Sequence, residues 1–112
     1  MKINAAARLT QNSNPNWNTN FASKSEYLSL LKTLGAIGIS DGTLIKESGE
    51  WAILIKRELL MDKVVNWLKA NGFKSYTNKV LDSTETEAYM KGSSLVMLDY
   101  HQDSGFTVQL IH

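Results

Sequence analysis

The residue types with most chemistry in them stand together at Asp99-Tyr100-His101-Gln102-Asp103. Successive side chains on a strand point to opposite faces, so Asp99 and His101 share a face at two-residue spacing. A carboxylate beside an imidazole raises a histidine's basicity or orients it as a metal ligand. Such a pair needs company. A general base requires a nucleophile or substrate within reach, and a metal site requires three or four ligands. The other histidine, His112, falls where a chain end is expected to fray. The reading from sequence is therefore that Asp99 and His101 lie on a solvated face with Thr107 and Gln109, with no catalytic residue, no metal and no other cofactor.

Two further chemistries can be weighed from residue types. Gly35-Ala36-Ile37-Gly38 supplies two glycines but neither the third glycine nor the strand-then-helix order of a phosphate-binding loop. Nucleic acid would find Lys46, Lys56, Arg57 and Lys63, with Trp51 as a stacking platform. Glu47, Glu50, Glu58 and Asp62 are interleaved with those bases and describe a mixed-charge rim instead. The bulk charge agrees: 12 basic against 11 acidic residues leave a net charge of +1, no field to steer the chain to a polyanion or an anionic membrane.

The elements that must position these residues organise around Trp51 to Phe73. Trp51, Ala52, Ile53, Leu54 and Ile55 form a near-continuous apolar run, the pattern of a strand buried on both faces. From Leu60 the period changes: Leu60, Val64, Trp67 and Leu68 fall on one stripe of a helix that Asn71-Gly72 can close. Trp67 should anchor the core from that stripe. An earlier helix is announced by Ser23 and Glu26 at capping-box spacing, with Tyr27, Leu30, Leu31 and Leu34 as its buried stripe and Gly35 at its end. Strand-like sequence follows each helix: 42–47 and 51–56 after the first, 86–90 and 95–100 after the second, with turns at Ser48-Gly49-Glu50 and Gln102 to Gly105. Phe106, Val108 and Leu110 then alternate with Thr107 and Gln109. Residues 74–85 could hold an edge strand around Tyr76 or one capped helical turn.

The expected architecture is α+β, a two-layer sandwich in helix–hairpin–helix–hairpin order. An antiparallel sheet of four to five strands would carry both helices on one face. The length of 112 residues, 43% of them hydrophobic, suits a single domain, placed at 23–112 behind an N-terminal peptide and Asn-rich linker at 1–22. There are no cysteines, which excludes disulfides and thiolate chemistry and fits a reducing cytoplasm. No run approaches the roughly 20 apolar residues of a membrane span, so no membrane association is expected.

Both faces of the sheet read as apolar, because Leu95 and Met97 lie opposite Val96 and Leu98, and Trp51 and Ile53 opposite Ala52. Large apolar patches are seldom left in water, so the second face needs a cover: Trp17 and Phe21 of the linker, a second copy of the chain in a homodimer, or another protein. Ile3, Leu9, Trp17, Phe21, Trp51, Leu95 and Met97 are the candidate partner-binding residues.

The opening MKINAAARLT is similar to the short N-terminal peptides of small accessory proteins of tailed bacteriophages. That resemblance implies a virion-associated or host-modulating protein that works by binding, in the virion or the host cytoplasm, with residues 1–10 as a docking or packaging peptide. The expectation is a non-enzymatic protein-interaction domain. The alternatives are a nucleic-acid-binding module using Lys56 and Arg57, or a small hydrolase or metal-dependent enzyme built on Asp99 and His101.

Overall fold

The computed structural model describes residues 21–76 and 86–111. Helix α1 (Lys24–Ala36) begins at a capping box, with Glu26 N–H donating to the Ser23 hydroxyl and Ser23 N–H donating to the Glu26 carboxylate at 2.7 Å. Strands β1 (Gly42–Glu47) and β2 (Glu50–Ile55) form a hairpin about Ser48 and Gly49, both at positive φ. A 3₁₀ turn over Glu58–Leu60 leads into helix α2 (Met61–Ala70). Beyond it Gly72, at φ 89°, lets the Phe73 N–H reach back to the Leu68 carbonyl and end the helix. Strands β3 (Lys74–Tyr76), β4 (Thr86–Lys91), β5 (Ser94–His101) and β6 (Gly105–Ile111) follow among the described residues.

The six strands make one antiparallel sheet in the order β1-β2-β6-β5-β4-β3. The α+β class, with an antiparallel sheet and both described helices on one face, is as expected, and the described residues hold six strands where four to five were expected. The added edge strand is β3, whose three residues are too short to carry a period of their own. Pairing from β3 through β6 is a meander, so the second half is four strands deep and not a repeat of the first helix–hairpin unit.

Both helices pack on one face. Tyr27 and Leu34 from α1, with Val64 and Leu68 from α2, meet Ile53, Ile55, Val96, Leu98, Phe106 and Val108 from the sheet. The other face holds a smaller apolar cluster of Ala88, Leu95, Met97 and Ile111, with Phe21 and Tyr76 against it. Phe21 bridges Ile111, and the Ala22 N–H donates to the Leu110 carbonyl. Phe21 and Ala22, read from sequence as linker, are thus tied to the edge of β6. Ile3, Leu9, Trp17 and the alternating asparagines lie outside the described residues, as does His112. No helix among the described residues is long and apolar enough to cross a membrane.

Candidate functional site

The register fixes where each candidate side chain sits. Glu47 ends β1 opposite Glu50, and His101 ends β5 opposite Gly105. Extending the β2–β6 pairing places Glu47 level with Leu95, six residues back along β5 and three strands across from His101. In a flat sheet the two would be roughly 24 Å apart. Instead the Glu47 Oε2 lies 3.5 Å from the His101 Nε2. The sheet must therefore curl so that the Glu47 end of the edge strand β1 meets the His101 end of the interior strand β5 over the second face. The β2–β6 seam shows how. Only Ile53 to Ile55 pair with β6; past Val108, β2 leaves, and the vacated edge bonds to Ala22 and to the Tyr27 hydroxyl.

The coil assembles a polar cluster on that face. The His101 Nε2 lies 3.2 Å from the Thr107 hydroxyl and 4.0 Å from the Asp99 Oδ2. The Thr86 hydroxyl, directly across β4, donates to the Asp99 Oδ1 at 3.0 Å. Asp99 is 1% exposed, as are Thr107 and Gln109, which corrects the expectation of a solvated face. Alternation correctly grouped these residues on one side, but whether that side meets water depends on the curvature of the whole sheet, which period-two patterning does not encode. Glu47, Asp99 and His101 offer ligand atoms that all lie within 4.8 Å of one another. Sequence reasoning named Asp99 and His101 and missed Glu47, which it counted only as a charge against nucleic acid; no local signal connects Glu47 to a strand so far away.

A second feature lies on the helix side. An apolar cavity of about 210 Å³ separates the helices from β5 and β6, lined by Leu30, Val64, Trp67, Phe73, Val96 and Leu110 among others. It opens partly to solvent beside α1 and α2. Among the described residues of the lining, Ser94 alone carries a hydroxyl.

The remaining candidates are differently placed. Leu95 and Met97 are buried completely and present nothing to a partner in this conformation. Trp51 is half-buried on the opposite, helix-facing side, where the Lys46 and Lys24 ammonium groups approach its ring at 4.8 and 5.3 Å from the centroid. Its ring is engaged and is not an open stacking platform. Arg57 holds both Asp41 carboxylate oxygens, at 3.0 and 3.1 Å, and these bonds keep the Asp41 carboxyl below its ordinary pKa. Of the four bases offered to nucleic acid, Lys46 and Arg57 therefore have partners within the chain, while Lys56 and Lys63 are exposed. Beside Arg57, Leu59 projects into solvent, 87% exposed, over an open groove of mixed charge lined by Lys56, Glu58 and Asp103.

Comparison with known protein families, with curated proteins and with solved structures found no match to this chain.

Proposed function

We propose that the chain is a non-enzymatic protein-interaction domain that receives a large apolar side chain of another protein in the cavity beneath α1 and α2. The observation that carries this reading is the cavity itself. At about 210 Å³ it exceeds the roughly 150 Å³ at which a dry apolar cavity takes up benzene. Leaving it empty costs up to about 5 kcal/mol on the scale measured for buried cavities, less in proportion to its opening to solvent. An aromatic or leucine anchor would recover that cost, and rigid apolar pockets filled by one such anchor are where binding energy concentrates in protein interfaces. The half-engaged basic quartet favours protein over nucleic acid. The likeness of residues 1–10 to phage accessory peptides supports a phage setting, in the virion or the host cytoplasm.

The test compares the full chain with Val96→Phe, which fills the cavity from its floor, in co-purification and solution-mass measurements. One protein bound at one-to-one by the parent chain, and lost by a variant of equal or higher melting temperature, supports the reading. A dimer of the chain sensitive to the same substitution would make the partner a second copy. Binding unaffected by Val96→Phe would overturn the cavity as the site, and so would uptake of a small lipid or turnover of a substrate.

A further inference from the structure

We infer that Glu47, Asp99 and His101 form a binding site for one divalent first-row transition ion, with coordination positions left to water beside Gln109. The site is independent of the apolar cavity, which lies on the other face of the sheet.

The donor set comes from the ends of two strands, the edge strand β1 and the interior strand β5, brought together by the curl of the sheet. One imidazole nitrogen and two carboxylate oxygens suit ions such as Zn²⁺ or Mn²⁺ rather than the all-oxygen shells preferred by Ca²⁺ and Mg²⁺. Ligands bound at about 2.0–2.2 Å in tetrahedral arrangement stand roughly 3.3–3.6 Å from each other. The Nε2 to Oε2 separation is 3.5 Å and the Nε2 to Oδ2 separation 4.0 Å, with all three ligand atoms inside 4.8 Å. Contraction by about an ångström, within the freedom of the Glu47 side chain, completes the geometry.

The surroundings are those of a ligand shell. The Thr86 hydroxyl holds the Asp99 Oδ1 and so turns the Oδ2 toward the imidazole, the orienting bond that metal-bound carboxylates normally receive. The Thr107 hydroxyl, 3.2 Å from the Nε2, would yield that contact to the ion and remain as a partner for its water. Gln109 supplies a separate observation. It is 1% exposed, and neither atom of its amide has a hydrogen-bond partner among the described residues. Native interiors rarely leave a whole amide unmatched. Gln109 pairs with Met97 and is therefore diagonal to Asp99 across β5 and β6, a separation that long side chains span. A water on the ion gives that amide the partner it lacks. Three protein ligands with open positions are also the arrangement in which a bound metal is accessible to solutes rather than purely structural.

The experiment uses the full chain, stripped with chelator and titrated with Zn²⁺, Mn²⁺ and Co²⁺ by calorimetry. Saturation at one ion per chain, a melting temperature that rises with the ion, and Co²⁺ absorption bands showing mixed nitrogen and oxygen ligation are expected. His101→Gln and Glu47→Gln, both at half-buried positions, should each weaken affinity at least tenfold while far-UV circular dichroism stays unchanged. Asp99→Asn is the stronger deletion but sits in the interior, so it is read only if its unfolding transition is intact. Removing His112 should change nothing. Absence of binding at 100 µM ion would reduce the cluster to a polar contact between an imidazole and two carboxylates. Stoichiometric binding that survives both His101→Gln and Glu47→Gln would place the ion elsewhere. Either result overturns the assignment.

Discussion

The Tyr27 hydroxyl accepts the Leu110 N–H at 2.8 Å across 83 residues of sequence, joining the first turn of α1 to the last strand. Replacing Tyr27 by Phe keeps the ring in the core and strands that N–H, at a cost of about 1–3 kcal/mol in denaturant unfolding. Burial pushes the Tyr27 pKa up to about 12, and Tyr89 is likewise raised to about 12, first by burial and then by its bond to Glu87. A folded pKa above the unfolded value of about 10 means stability fully present below pH 10 and lost as pH climbs toward 12. The parent chain should therefore weaken across that window, and Tyr27→Phe should weaken less steeply, retaining the Tyr89 share. An alkaline limb identical in both proteins would show that Tyr27 is not held by burial.

Gly105 is where β6 starts against the end of β2. A side chain there would drive its Cβ into the Ile55 carbonyl oxygen and the Lys56 backbone, and the residue has φ 86°. Gly105→Ala should cost more than about 3 kcal/mol, because the Ile55–Lys56 backbone would have to move and a positive φ is strained besides. A variant within about 1 kcal/mol of the parent would mean that the corner is looser than its geometry indicates.

The Arg57–Asp41 pair makes an acid-side prediction. Asp41 is held below its ordinary pKa by the guanidinium, so its contribution is present above the unfolded carboxylate pKa and is lost as pH falls through the lower folded value. Both groups are solvent-accessible, so the effect is small and screened by salt. Melting curves from pH 6 to pH 2 should show Asp41→Asn flattening the acid limb slightly at low salt and not at 1 M salt. A salt-independent difference would point to a buried role.

Trp67 lies on the helix stripe with Val64 and Leu68, yet it is only partly buried and borders the cavity. Trp67→Ala should cost about 1–3 kcal/mol, below the 3–5 of an enclosed core tryptophan, because part of the ring never leaves water and the cavity already spares it contacts. Equilibrium unfolding in urea measures it directly. A loss near 5 kcal/mol would mean that the ring seals the cavity.

Local structure was legible from local residues. Ser23 and Glu26 cap α1 as their spacing requires, β1 spans Gly42–Glu47 as its composition indicated, and the turn before Gly105 falls where Asp103 and Gly105 allow positive φ. The candidate site was half legible. Asp99 and His101 could be paired from the two-residue period, but their third partner arrives only through the coil, which is summed over four strands. The same coil is why Asp99, Thr107 and Gln109 are interior despite a polar alternation that reads as solvated. The three residues of β3 carry too little pattern to distinguish an edge strand from a loop.

The sparse β2–β6 seam also bears on how the chain folds. Its three register pairs join residues about half the chain apart, whereas β1 with β2, and β3 through β6, pair with sequence neighbours. Neighbouring strands close their loops on microsecond timescales, so the hairpin and the meander are positioned to form first, with the seam as the long-range, slower step. The order is expected to run backwards in native-state opening. A fluctuation that parts the seam separates Glu47 from Asp99 and His101 at once while leaving the meander's hydrogen bonds intact, so the amides of Ile53 to Ile55 should exchange with deuterium sooner than those of β5.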